Sequence, residues 1–299
     1  MRFIDYCAGA GGASGGIVKA GGEAVGAVEC NAVAASTYAD HHRTTRLMVE
    51  DITTLDPRDV PPHDVAVWCP PCREFSPASG RSAVAAEGRL MGEVVRFMRA
   101  TRPKYFMFEN VPDVRRWSGF IDWRSQLERL GYWLSGDVLD ASRWVPQERM
   151  RYVLVGRLGV SPPDLPGPAK RKRLRTARDI IDFQAGDWQP VSSRCANVRA
   201  RIAAARKKYG DVFLLSSFGS EARYSGRSID RPIGTVTTVI HWSVVVGGLV
   251  RHLLPGEVAL AQGFRKGHAF RGCAMEQHKQ IGNAYPSPMA GAVFEALVQ

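Results

Sequence analysis

The 299-residue sequence has no apolar run approaching the ~18–20 residues needed to cross a bilayer. Its opening, MRFIDYCAGAGG, lacks the charged and apolar regions of a signal peptide. Together these absences predict a soluble, cytoplasmic protein with no membrane partner. Cysteine is sparse, confined to Cys7, Cys30, Cys69, Cys72, Cys195 and Cys273. A chain of this length buries enough apolar surface to need no disulfide staples. Only Cys69 and Cys72 are close together, and no second pair or nearby histidine stands at ligand spacing, so no metal is expected. Internal repeats are absent as well. Acidic residues are the scarcer charge. Twenty-nine Asp and Glu face 40 Lys and Arg, and the net charge of +11 suits a polyanionic partner or an anionic surface.

What is present begins with an alternation. MRFIDYC, AVGAVEC, DVAVWC, KYFMFENV and RYVLVGRL read as strands, while NAVAASTYADHH and MGEVVRFMRATR carry helical patterning. Such alternation predicts an α/β fold, a mostly parallel sheet covered on both faces, with ligands beyond the carboxyl ends of its strands. The rhythm stops after Gly159, where a proline-rich stretch leads into KRKRLRTAR and later VRARIAAARKK. Those runs read equally as phosphate contacts or as solvated helix faces. An apolar helix at the C-terminus is expected to return to the first sheet.

Three strand ends point to a nucleoside. Gly9, Gly11 and Gly12 allow a sharp turn and close approach of backbone to ligand. Glu29 closes the second strand, where a carboxylate accepts hydrogen bonds from ribose hydroxyls. Asp51 and Ile52 follow a third, suited to an adenine amino group and ring. Next comes WCPPCREFS, which has two readings. Cys69 and Cys72 could be a thioredoxin-like redox pair, or Cys72 a single nucleophile behind Pro71. The chain's length and its glycine turn favour the nucleophile, as does Glu109, an acid partner at a later strand end.

The segments DYCAGAGGASGG, PPCREFS, FENV, PQERMR, RPIGTVTT and QIGNAYPSP resemble, in order, the motifs of the DNA cytosine-5 methyltransferases. The resemblance implies a Rossmann-like S-adenosylmethionine-dependent methyltransferase sheet over 1–168 plus 275–299, with a target-recognition domain over 169–274. It implies a monomer acting on double-stranded DNA, and so associated with the nucleoid. By the same resemblance Cys72 adds to C6 of a flipped cytosine, with Glu109, Arg149 and Arg151 assisting. Cys7, Gly9, Gly11, Gly12, Glu29, Cys30, Asp51, Ile52, Leu90 and Asn283 would hold the cofactor. Pro71, Arg73, Ser76, Asn110 and Gln147 would contact the substrate, and Pro77 to Leu90 would close over it as a loop.

The sequence departs from the family's pattern in four places. Cys7 replaces a usual Phe, Cys30 a usual large residue, Trp68-Cys69 a Gly-Gly pair and Arg73 a Gln. Arg73 sets a fixed positive charge beside the active thiol, where it would lower the thiol's pKa, contact a phosphate or accommodate an acidic group. Three rivals are a tRNA cytosine-5 methyltransferase of the same fold, a thiol–disulfide protein and a nucleic-acid-binding module without catalysis. The first lacks its Cys-Phe-Thr element here, and the intact PPC, ENV and Gln-x-Arg-x-Arg motifs oppose the last.

Overall fold

The computed structural model describes residues 1–71, 84–167, 175–218 and 226–299. Five of its strands are apolar almost throughout because the sheet is covered on both faces. β1 (Arg2–Tyr6) is followed by α1 (Gly12–Lys19), β2 (Glu23–Val28), α2 (Ala32–His41) and the short β3 (Arg46–Met48). β4 (Val65–Trp68), α3 (Val84–Thr101), β5 (Tyr105–Asn110), α4 (Phe120–Arg129), β6 (Tyr132–Asp140) and β7 (Met150–Leu158) complete the series. The strands form one seven-stranded sheet in the order β3-β2-β1-β4-β5-β7-β6. β1 to β5 run parallel, while β7 pairs antiparallel with both β5 and β6.

The chain divides into two compact units: 1–140, 150–169 and 284–299, and 141–149 with 170–283. The nine residues 141–149 and the segment 275–283, expected with the sheet, group with the second unit. That unit holds β8 (Gln189–Pro190), α5 (Ala196–Tyr209), β9 (Val212–Ser216), β10 (Gly226–Ser228), β11 (Trp242–Val246) and β12 (Leu249–His252). α6 (Pro255–Ala261) and α7 (Ala274–Asn283) follow. Its strands form an antiparallel sheet ordered β10-β9-β11-β12-β8, and α5 buries Ile202 and Ala205 against Phe213, Leu215 and Val245. Arg251 and Glu257 make a buried ion pair at 2.6 Å, with the guanidinium 4.8 Å above the Trp188 ring.

The last helix, α8 (Ser287–Val298), belongs to the first unit and crosses α1 with the two backbones in contact. A Cβ on Gly16 would lie 1.8 Å from the Ser287 carbonyl oxygen, and one on Gly291 would lie 2.7 Å from that of Gly16. Only glycine permits such a crossing.

In the core, Tyr6 stacks on Trp68 at 4.2 Å, and both meet Phe97 edge-on. Burying each such ring stabilises the fold by roughly 1.5–3 kcal/mol. The unusual Trp68 is thus a core residue. The segment Val84 to Leu90, expected as a loop, is the first two turns of α3. Ala85, Ala86, Glu87, Arg89 and Leu90 are good helix formers, and a single Gly88 does not outweigh them. The rest of that expected loop, Pro77 to Ala83, lies outside the described residues.

Candidate active site

At the end of β1 the chain enters left-handed backbone at Cys7 (φ 61°), Gly9 (φ 54°) and Gly11 (φ 82°), and Gly11 caps α1. A Cβ on Gly9 would meet nothing within 4 Å, so this turn presents open backbone, whereas one on Gly11 would strike the His42 ring at 2.7 Å. Glu29 ties the turn to the next strand end. Its Oε2 accepts from the Gly9 N–H at 2.8 Å and its Oε1 from the Asn31 N–H at 2.7 Å. Asn31 in turn caps α2. Asp51 accepts from the Thr53 N–H and hydroxyl at 2.9 and 2.8 Å, bonds that hold its carboxyl below the usual range. Ile52 beside it is buried, and Leu90 is half-buried against the same core.

Gly9, Gly11, Gly12, Glu29, Asp51 and Ile52 therefore lie at neighbouring parallel strand ends, as the sequence reading placed them. Burial pushes the Cys7 thiol far up, with the Glu29 charge adding to it, and the exposed Cys30 thiol is raised by the same two causes. Neither is a thiolate near neutral pH. Asn283 ends α7, exposed and in the second unit.

A set of residues not singled out from the sequence lies behind the turn. Asp5, completely buried, accepts on Oδ2 from the Ser14 N–H at 3.2 Å and the Ser14 hydroxyl at 2.7 Å. The Ser14 and Tyr38 hydroxyls are 2.9 Å apart, and the Tyr38 ring lies 4.5 Å from His42. Only its place two residues before the turn could have flagged Asp5, since burial of an acid inside an apolar strand leaves no mark in a single sequence.

A second group sits where β5 and β7 pair. Glu109, 6% exposed, meets the Arg151 Nε at 2.9 Å, and Arg151 also donates to the Met150 carbonyl at 2.7 Å. A carboxylate this enclosed needs a cation to remain charged. Asn110 donates from Nδ2 to the Pro70 carbonyl at 3.2 Å, and its Oδ1 accepts from the Val111 N–H at 2.8 Å. FENV thus braces the segment that leads to Cys72. Pro71 is exposed, whereas Cys72, Arg73 and Ser76 lie outside the described residues. Tyr285 is buried nearby, its phenol pushed far up by burial and then by the fields of Glu109 and Cys69. Burial likewise holds the Cys69 thiol well above the ordinary range, so it is a poor exchange nucleophile.

Gln147 and Arg149 belong to the second unit. Gln147 bonds the Ala261 carbonyl, the Gln262 side chain and the Val236 N–H. Arg149 donates to the Val236 and Gly282 carbonyls at 2.7 and 2.8 Å. Both are buried, and these bonds serve to knit that unit together.

The sheet order, glycine turn and paired Glu109 and Arg151 coincide with a match over residues 1–299 to the model of the C-5 cytosine-specific DNA methylases. The chain belongs to that family. It is 29% identical to the Type II methyltransferase M1.HphI of Haemophilus parahaemolyticus, over all of this chain and 87% of the relative. It is 26% identical to M.NlaX of Neisseria lactamica, over 99% and 96% of the two. The S. pombe Dnmt2 methyltransferase structure superposes with a TM-score of 0.70 at 17% identity, covering 100% and 98%, which shows a common fold. The methylase is thus a DNA cytosine-5-methyltransferase, and the reading of Cys69 and Cys72 as a redox pair is set aside. No helix among the described residues of this methylase is long and apolar enough to cross a membrane.

Proposed function

We propose that the protein moves a methyl group from S-adenosylmethionine to C5 of a cytosine flipped out of double-stranded DNA, with Cys72 as covalent nucleophile. The carrying observation is the enclosed Glu109–Arg151 pair next to a segment braced by Asn110 on Pro70. Cytosine C5 is a weak nucleophile until the ring is saturated elsewhere. The Cys72 thiolate forms a bond to C6, while Glu109 in its acid form donates its proton to N3, where negative charge develops, and its other oxygen accepts from the amino group. Arg151 keeps Glu109 oriented and, by the family's pattern, holds the cytosine O2.

The cofactor supplies an electrophilic methyl group. The residues at the glycine turn fit its chemistry: open backbone at Gly9, a carboxylate at Glu29 and an acid beside an apolar side chain at Asp51 and Ile52. After transfer the C5 proton leaves and the Cys72–C6 bond breaks, restoring aromaticity. Cys7, Cys30, Leu90 and Asn283 complete the proposed cofactor contacts. Pro71, Arg73, Ser76, Asn110, Gln147 and Arg149 complete those proposed at the base, directly or through the backbone they hold. The basic second unit supports contact with DNA phosphates. Relatives named Type II methyltransferases support a modification role beside a restriction enzyme; the proposal includes a cytoplasmic monomer held at the nucleoid by its DNA.

The test is a mechanism-based trap. With S-adenosylmethionine present, DNA carrying 5-fluorocytosine at the target becomes covalently attached, because fluorine cannot leave C5 as a cation. Cys72→Ser abolishes the adduct, whereas Cys69→Ala retains it. Loss of the adduct in both variants alike, or none with the wild type, overturns the assignment.

A further inference from the structure

Three apolar side chains stand exposed together on the second unit. The β9–β11 ladder pairs Ser216 with Trp242, and one step further the Ser217 N–H donates to the His241 carbonyl at 2.8 Å. Phe218 and Ile240 are the next residues, one on each strand, and Val239 adjoins Ile240. Phe218 is 51% exposed, Val239 50% and Ile240 37%. Single apolar residues at a surface mean little, whereas three at one place mark a contact. The tip they form is firmly held. The Phe218 ring lies on the His241 imidazole at 4.3 Å, and that imidazole is buried. A carbonyl can only accept, so His241 Nδ1 donates to the Val239 carbonyl at 3.0 Å, where the Thr237 hydroxyl also donates at 3.2 Å. A Cβ on Gly282 of α7 would lie 2.1 Å from the Thr237 carbonyl oxygen, so only glycine lets that helix end press on the segment. At the segment's root the Gln147 side chain accepts from the Val236 N–H at 2.8 Å, and the Glu148 carbonyl accepts from the Thr235 hydroxyl at 2.9 Å.

Charge and shape together select what this tip meets. The second unit carries the molecule's excess of Lys and Arg, which suits DNA phosphates. An apolar tip on such a unit finds no match in the phosphates or in the polar base edges. The one apolar group that the major groove presents is the C5 methyl of thymine. Val239 and Ile240 are branched rather than flat, and Phe218 already has one face against His241. Contact with a methyl at a base edge therefore suits the three better than entry between stacked base pairs. We propose that Phe218, Val239 and Ile240 are specificity-determining residues that read the C5 methyl of a thymine within the recognition sequence. Because the segment is braced before DNA arrives, little freedom is lost on contact, and so small a group can change affinity. The proposal rests on the reading of the protein as a methyltransferase of double-stranded DNA, and it adds a base to the sequence selected.

The experiment first maps the target by bisulfite sequencing of plasmid DNA from cells expressing the full-length protein. Duplexes bearing that sequence are then made with each thymine replaced in turn by deoxyuridine, a change that removes one methyl and nothing else. With S-adenosylmethionine present, one such replacement lowers kcat/KM of the wild type about fourfold, the worth of one buried methyl. The double variant Val239→Ala with Ile240→Ala methylates the thymine and deoxyuridine duplexes at rates within about a factor of two, while Ile240→Val, still apolar and branched, keeps the difference. A merely structural tip would slow both duplexes and leave their ratio unchanged, so a ratio that persists in the double variant overturns the proposal. A mapped sequence without thymine overturns it as well, as does a wild type indifferent to every replacement. If that indifference comes with a Phe218→Ala variant that no longer brightens 2-aminopurine placed at the target base, the tip is a wedge between base pairs instead. A plasmid with no methylated cytosine takes down the methyltransferase reading and this proposal together. Methylation without sensitivity to the thymine methyl takes down this proposal alone.

Discussion

The first unit holds 18 Lys and Arg against 20 Asp and Glu, whereas the second holds 22 against nine. The molecule's +11 is therefore a second unit at +13 and a first unit at −2. Buried charges divide less cleanly: the first unit encloses Asp5 and Glu109 with Arg151, and the second encloses Arg149, Arg201 and Arg251 with Glu257. Each unit matches the charge of what it is proposed to meet: a cationic cofactor in one, polyanionic DNA in the other. Inside the second unit, however, positive charge is spent on structure. Arg201 donates to the Ser216 carbonyl, and Arg251 bonds Glu257 and the Asp182 carbonyl. Net charge alone does not tell a DNA contact from a fold-holding guanidinium.

The largest effect should come from the acid of the first unit. Glu109→Gln keeps the shape but loses the ionisable group, and single-turnover methyl transfer should fall by about 10²–10⁴-fold. Cofactor affinity should stay within a factor of two or so. A rate near wild type would remove Glu109 from the chemistry and leave it a structural partner of Arg151.

Breaking a buried pair in the second unit should harm stability instead. Arg251→Met strands Glu257 and should cost about 3–5 kcal/mol in urea unfolding. The salt dependence of DNA binding should be untouched, because Arg251 is 2% exposed. A flattened salt slope in that variant would mean that the division between fold-holding and DNA-facing cations is drawn in the wrong place.

The smallest effect concerns surface charge. Neutralising the cluster from Lys170 to Arg175 should flatten the plot of log affinity against log salt by about 0.9 for each lost phosphate contact. Thermal stability should be unchanged. Filter binding over a salt series gives the slope, and a wild-type slope would return the cluster to a solvated face.

The first unit was legible because β1, β2, β4, β5 and β7 are buried on both faces and read as continuous apolar runs. β6 was missed. Its sequence YWLSGDVLD is half exposed at a sheet edge, so its polar residues broke the run. The second unit's sheet was missed for a different reason. Its strands are short and joined antiparallel, without the strand–helix rhythm being sought. A signal was present: VVVGGLVR is two β-rich runs around Gly247-Gly248, and those two glycines make the β11–β12 hairpin turn. At the site, the glycine turn with Glu29, and Glu109 as an acid at a strand end, followed from residue types alone. Which arginine meets Glu109 did not, because Arg149 and Arg151 are two apart on one segment and only the sheet pairing of Glu109 with Val153 selects Arg151.

The glycine crossing of α1 and α8 bears on how the protein is made. Helix α8 covers Phe3 and the backbone of Gly16, yet it follows the whole of the second unit in the chain. Every residue of the second unit is synthesised before that apolar face can be covered. During translation the sheet's α1 side stays open to water and to other chains, a state prone to aggregation. The first unit is thus completed only after the second has been made, and removing residues 287–299, thirteen in all, takes away the whole of α8.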